Sequence, residues 1–102
     1  MTYTISDALS LIEEFIWDEY NQSPDFSDLS HIALAYTTLE TDDGRYYEVN
    51  VYADLKNYRL VTQYSGDADR TEIEQYNTID GLIEYELKYL YFDTLVSGIF
   101  EY

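Results

Sequence analysis

Residues 31–64 read HIALAYTTLETDDGRYYEVNVYADLKNYRLVTQY, and the period of this stretch decides the fold. Within RYYEVNVYAD (residues 45–54), Tyr47, Val49, Val51 and Ala53 share one side of an extended chain. Tyr46, Glu48, Asn50, Tyr52 and Asp54 share the other. Such alternation is the pattern of a half-buried strand. On its N-terminal side, TDDGR (residues 41–45) is a turn with Asp43-Gly44 as the hairpin signal, and HIALAYTTLET reads as the preceding strand. On its C-terminal side, Asp54 to Asn57 forms a second turn and YRLVTQY (residues 58–64) a third strand. Three antiparallel strands joined by short turns make a meander. SGDAD (residues 65–69) is a loop. TEIEQY (residues 71–76) fits either a fourth, edge strand or an irregular connection.

Outside the meander the period changes to that of a helix. Ile5, Ala8, Leu9, Ile12, Phe15 and Ile16 recur at helical spacing over residues 5–20, with Leu11 and Trp17 at the edge of the stripe. Thr4 or Ser6 can cap this helix, and Asp7 suits the positive end of its dipole. NQSPDFSD (residues 21–28) breaks it, since Pro24 lacks a backbone donor and restricts the residue before it. A second helix is expected from about Thr78 to Tyr91, capped by Asn77 or Thr78. Its core stripe is Ile79, Leu82, Ile83, Leu87 and Leu90. Phe92-Asp93-Thr94-Leu95 either kinks it or starts a short further helix capped by Asp93. Gly98 ends the element, and Phe100 and Tyr102 trail. A sheet made of one meander has two faces, and one must be covered. The expectation is therefore one α+β domain over residues 1–102, with the helices packed on one face of a three- or four-stranded antiparallel sheet. The other face would show Tyr, Thr, Asn, Gln and a few charges.

The charge is extreme for this size. Twenty-one Asp and Glu face five Lys and Arg, for a net −16 on 102 residues. Residues 1–30 carry −7, residues 31–64 carry −2 and residues 65–102 carry −7, so the field belongs to the helices and their flanks. Thirteen Tyr, four Phe and one Trp separate this chain from acidic disordered sequences, which are poor in aromatics. There is no Cys, hence no disulfide framework and no thiolate metal site. MTYTISDALSLIEEF lacks a basic leader, and no apolar run approaches the ~20 residues of a membrane span. The expected location is the cytoplasm.

Most chemistries find no support in the residues. His31 stands alone at the start of a strand, no nucleophile elbow is present, and four Gly are too few for a phosphate-cradling loop. Carboxylate pairs such as Glu13/Glu14, Asp42/Asp43, Glu72/Glu74 and Glu84/Glu86 arise by chance among so many acids. Asp67-x-Asp69-x-x-Glu72 has calcium-like oxygens but lacks the loop frame and central glycine. No catalytic residue, metal ligand or cofactor is expected. Direct nucleic-acid binding is disfavoured by the sign of the charge. Arg45, Lys56, Arg59 and Arg70 are best read as partners of neighbouring acids.

What the charge favours is a basic partner. Duplex DNA presents one negative charge per ~1.7 Å of axis, and carboxylates on a rigid scaffold can occupy a groove built for phosphates. Steering then makes association fast. The carboxylates expected to do this are Glu13, Glu14, Asp18, Glu19, Asp80, Glu84 and Glu86. Trp17 and Tyr85 are the leading aromatic anchors among them, beside Tyr20, Tyr89 and Tyr91. The alternative is an interaction or oligomerisation domain, including a homodimer, that uses Tyr46 and Tyr52 on the open sheet face.

Two likenesses point the same way. Tyr76-Asn77-Thr78-Ile79-Asp80-Gly81-Leu82-Ile83-Glu84, continuing through Leu87, Leu90 and Phe92-Asp93 to Leu95, resembles the end of small acidic domains in proteins of Gram-positive plasmids, phages and conjugative elements. The turn Asp54-Leu55-Lys56-Asn57-Tyr58-Arg59 leading into a strand is similar to the same domains. The order helix, meander, helix, together with the acidity, resembles compact anti-CRISPR and anti-restriction inhibitors that imitate DNA. That second likeness is one of architecture and charge, without a shared motif. It implies a mobile-element inhibitor of a basic, nucleic-acid-binding host protein such as a nuclease, and it transfers no functional residue.

Overall fold

The computed structural model describes residues 2–96. The expected stop at Gly98 and the trailing Phe100 and Tyr102 lie outside them. In chain order the elements are α1 (Ile5–Tyr20), β1 (Ile32–Glu40), β2 (Tyr46–Asp54), β3 (Arg59–Gly66), β4 (Arg70–Gln75), α2 (Ile79–Tyr85), a 3₁₀ turn (Leu87–Tyr89) and α3 (Phe92–Val96). The four strands form one antiparallel sheet in the order β1-β2-β3-β4. The α+β class, the meander and the N-terminal helix are as the residues predict, and the undecided segment 71–76 is a strand as far as Gln75.

Helix α1 starts where expected because Thr4 closes a capping box. Its hydroxyl accepts from the Asp7 N–H at 3.2 Å, and the Asp7 carboxylate accepts from the Thr4 N–H at 2.8 Å. It ends at Asn21, whose φ of 52° lets its N–H reach the Trp17 carbonyl at 2.8 Å. Ala8, Ile12, Phe15 and Ile16 are buried against the sheet. The connection to β1 is held by short turns in which Asp25 accepts from the Ser27 N–H and Asp28 from the Ser30 N–H. The Ser30 hydroxyl also donates to Asp28, at 2.6 Å. The Ser27 N–H bond holds Asp25 below the ordinary carboxylate range, and the Ser30 hydroxyl foremost, with its N–H, does the same for Asp28.

The covered face of the sheet joins α1, α2 and the 3₁₀ turn in one core. Val49, Val51 and Ala53 of β2 meet Leu60 and Tyr64 of β3 there, together with Leu82, Ile83, Leu87 and Leu90. β1 reaches the same core through a bulge between Ala33 and Ala35, which leaves Leu34 as an extra residue. The bulge lets Leu34 and Ala35 both bury, which strict alternation forbids. Tyr20 donates its hydroxyl to the Leu34 carbonyl at 2.7 Å and so occupies one acceptor of this edge.

Three turns close the meander. Between β1 and β2, Gly44 at φ 85° donates to the Thr41 carbonyl, and Thr41 donates to Arg45. The loop is thus three residues long with glycine in the left-handed position, rather than a two-residue Asp-Gly turn. Between β3 and β4, Gly66 at φ 115° is packed so that a Cβ would lie 2.5 Å from the Tyr46 carbonyl oxygen. Between β2 and β3 lies the main correction to the strand reading. Asp54, placed by alternation on the open face, is buried to 1% exposure. Its carboxylate accepts from the Lys56 and Asn57 N–H groups, the Asn57 amide, and Arg59 Nε and Nη2 at 3.1 and 2.8 Å. Burial raises the Asp54 pKa, but the bonds from Asn57 and Arg59 outweigh it and hold the carboxyl below its ordinary range.

The C-terminal part departs from the expected single helix over 78–91. Thr78 caps α2 through the Gly81 N–H at 3.3 Å, but the helix stops at Tyr85. Leu87 and Leu90 are both buried three residues apart, and the 3₁₀ turn aligns residues at that spacing. The short further helix at Phe92 is present as α3, with Asp93 inside its first turn rather than at its cap.

Candidate functional site

The acids carried by the helices divide by use. On α1, Glu13, Glu14, Asp18 and Glu19 are all exposed. No ion pair engages any of them among the described residues. Four charges within seven residues span about 9 Å of helix axis, or one per ~2–3 Å, close to the duplex value of ~1.7 Å. Trp17, at 55% exposure, sits among them on the solvent side. Helical spacing separates them into two flanks. Glu14 and Asp18, four apart, share one flank, and Glu13 and Trp17, four apart, share another.

The first flank borders the C-terminal segment. Glu14 and Asp18 line a shallow cleft of about 240 Å³ with Leu11, Leu87, Lys88 and Tyr91. Asp18 and Glu19 line an adjoining cleft of about 360 Å³ with Leu90, Tyr91, Phe92 and Asp93. The two share Phe15, Asp18, Leu90 and Tyr91, so they form one groove with carboxylates on both walls and a Tyr at its centre. Tyr91 is 65% exposed. The expectation from sequence placed Asp93 at a helix cap and did not count it among the binding acids. Only the break at Leu90 turns it toward α1.

The remaining carboxylates do structural work. Asp80 accepts from the Tyr3 N–H at 2.7 Å, and Glu84 accepts from the Tyr3 hydroxyl at 2.7 Å and from Lys88 at 3.0 Å. The Tyr3 and Lys88 bonds hold Glu84 below the ordinary carboxylate range, and Tyr3 and Glu84 together raise Lys88. Lys88 also lies 5.2 Å from the Tyr3 ring centroid, so a cation stands beside the acidic groove. Glu86 accepts from the Tyr76 hydroxyl at 2.6 Å; burial and this bond push the phenol well above its ordinary value. Tyr85 stacks on Tyr76 at 5.9 Å and is 71% exposed. Glu86 and Tyr85 line a different cleft of about 230 Å³, facing Thr62 and Glu72 of the sheet. The nine residues proposed from sequence are therefore not one patch. Glu14, Asp18 and Glu19 meet in the groove, Glu13 and Trp17 flank it, Asp80 and Glu84 tether the N-terminus, and Glu86 and Tyr85 look toward β4.

Other chemistry-bearing groups are held in place by local contacts. Arg45, Arg59 and Arg70 pair with Asp43, Asp54 and Glu72 at 3.3, 2.8 and 2.7 Å. Arg70 also lies over the Tyr64 ring at 4.5 Å. In the calcium-like segment, Asp67 accepts from the Tyr46 N–H while Glu72 takes Arg70. No group of three or more His, Asp or Glu among the described residues is arranged to hold a metal ion. A cavity of about 750 Å³ runs along β1 beside residues 22–28 and includes His31. The His31 ring lies 3.9 Å from that of Tyr52, and the nearby Ser30 hydroxyl donates to Asp28 instead. No helix among the described residues is long and apolar enough to cross a membrane. No protein-family model, curated protein or solved structure matches the chain.

Proposed function

We propose that this protein is a non-enzymatic binding protein of a mobile element that blocks a basic, nucleic-acid-binding host protein, such as a nuclease, by occupying its phosphate-binding surface. The observation that carries this reading is the unneutralised carboxylate row on α1, continued by Asp93 across a groove that exposes Tyr91, with Trp17 alongside. A rigid helix holds the charges at near-duplex density. The aromatic rings add desolvated contact, which charge alone does not supply. Long-range attraction would make association fast and salt-sensitive.

The test is retention of a basic DNA-binding protein from bacterial lysate by the tagged chain, with and without excess duplex DNA. Displacement by DNA supports the reading. The quadruple variant E13K/E14K/D18K/E19K should lose retention at least tenfold, with an unchanged circular dichroism spectrum. Equal retention by this variant sinks the proposal.

A further inference from the structure

We infer that Tyr3 and Glu84 form a latch that holds Lys88 away from the acidic row of α1, so that the row stays open to a cation from outside the chain. The latch rests on contacts within the chain; its consequence for binding rests on the proposed function. The chain has five bases. Arg45, Arg59 and Arg70 pair with acids of the sheet and its turns, and Lys56 lies in the turn between β2 and β3. Among the described residues, Lys88 is the one base that lines the groove. The 3₁₀ turn that carries it packs against α1, and its cleft is shared with Glu14 and Asp18. An ammonium on a flexible four-carbon stem can serve more than one carboxylate. Lys88 therefore has two destinations: Glu84, four residues back, or Glu14 and Asp18 across the cleft. In the second it would cancel one charge of the row and stand where a partner's cation has to go.

The contacts decide for the first destination. Lys88 Nζ lies 3.0 Å from Glu84 Oε1, and the Tyr3 hydroxyl donates to the same oxygen at 2.7 Å. The ammonium also lies 5.2 Å from the Tyr3 ring centroid, within the range of cation–π attraction. Tyr3 is itself fixed, because its N–H donates to Asp80 at 2.7 Å and the next residue, Thr4, caps α1. An exposed ion pair four residues apart is weak when it stands alone. Tyr3 adds a ring for the cation and a second donor for the carboxylate, and both biases favour Glu84. Tyr3 and Glu84 raise the Lys88 pKa, so the latch governs where the positive charge stands rather than whether it exists. Glu84 and Tyr3 are thus positioning residues: they touch no partner and act through Lys88. This accounts for a carboxylate of the acidic C-terminal segment that takes no place in the groove.

A double-mutant cycle on the full chain tests this, with the parent, E84Q, K88Q and E84Q/K88Q titrated calorimetrically with a short oligoarginine peptide at low salt. Loss of the Glu84 charge weakens a polycation's binding to the same extent in both backgrounds. Release of Lys88 adds to that loss only where Lys88 is present. E84Q should therefore weaken binding about two- to fivefold more in the parent than in the K88Q background. Tyr3→Phe keeps every charge and should weaken binding in the same direction by a smaller factor, again only with Lys88 present. A second readout needs no peptide. The side-chain carboxylate carbon resonances of Glu14 and Asp18 should move from parent to E84Q and not from K88Q to E84Q/K88Q. Y3F carries the same comparison if E84Q does not fold by circular dichroism. Unmoved resonances overturn the latch whatever the peptide does, and an equal cost of E84Q in both backgrounds overturns its effect on binding. Moved resonances with no peptide bound by any of the four proteins would support the latch and count against the proposed function instead.

Discussion

The carboxylates of α1 and those of the C-terminal segment look alike in sequence and are used differently. Glu13, Glu14, Asp18 and Glu19 project from a helix whose opposite face is buried, and no cation pairs with them among the described residues. Asp80, Glu84 and Glu86 each hold another part of the chain: the Tyr3 backbone, the Tyr3 hydroxyl and the Tyr76 hydroxyl. Asp54 is the extreme of the second kind, wholly buried and fully bonded. The difference teaches that local charge density does not distinguish a surface meant for a partner from a tether. What distinguishes them is whether a donor from elsewhere in the fold arrives at the oxygen.

That contrast can be broken by mutation, and the largest effect belongs to Asp54. Asp54→Ala strips the turn of its acceptor and leaves Arg59 without its partner. A loss of about 3–5 kcal/mol in urea unfolding is expected. Its linkage to pH has a definite sign. The folded-state pKa of Asp54 is depressed, so its contribution is complete above the unfolded-state carboxylate pKa and is lost as pH falls through the folded value. Asp54→Asn should therefore show a shallower fall in stability with acidification than the parent; parallel curves would mean that the pairing contributes nothing.

The tethers come next. Tyr76→Phe removes the donor to Glu86 while keeping the ring against Tyr85, and should cost about 1 kcal/mol in thermal or chemical unfolding. If it costs nothing, the C-terminal acids are as free as those of α1 and the contrast fails.

The α1 acids should move stability least, and in the opposite direction. Glu14 and Asp18 are like charges four residues apart, so Glu14→Gln should leave stability unchanged or raise it by about 0.2–0.5 kcal/mol. Self-repulsion predicts a further small effect. Melting temperature should rise as salt increases from about 0.01 M to about 0.15 M, where the Debye length falls from ~30 to ~8 Å. The rise should be smaller in a variant neutralised at Glu13, Glu14, Asp18 and Glu19. An equal rise in both would place the repulsion elsewhere.

Much of the fold was legible because it rests on local period and local capping. The span of α1, the β2 alternation and the Tyr47, Val49, Val51, Ala53 face all follow from spacing and turn residues, while each helix start offered two cap candidates, of which the structure uses Thr4 and Thr78. Strand β4 was ambiguous because all six of its residues are exposed, which leaves no buried face to write a period. Asp54 was misplaced because alternation assigns a side but cannot see that a turn folds back over it. The extra residue at Leu34 and the break after Tyr85 share a cause. Both let consecutive or closely spaced apolar residues reach a core that a regular element would deny them.

The candidate site divides in the same way. Sequence by itself determined the sign and surplus of the charge, its concentration outside the sheet, and the exposed row on the first helix, since helical spacing sends those carboxylates away from the apolar stripe. Only the tertiary structure decided which acids remain available. It brought Asp93 and Tyr91 across from α1, and committed Asp80, Glu84 and Glu86 to tyrosine and backbone donors. The physical reason is range. A period of 3.6 or 2 residues is set by each segment's own backbone, whereas hydrogen bonds and strand registers join residues up to 81 positions apart, and no local pattern encodes them.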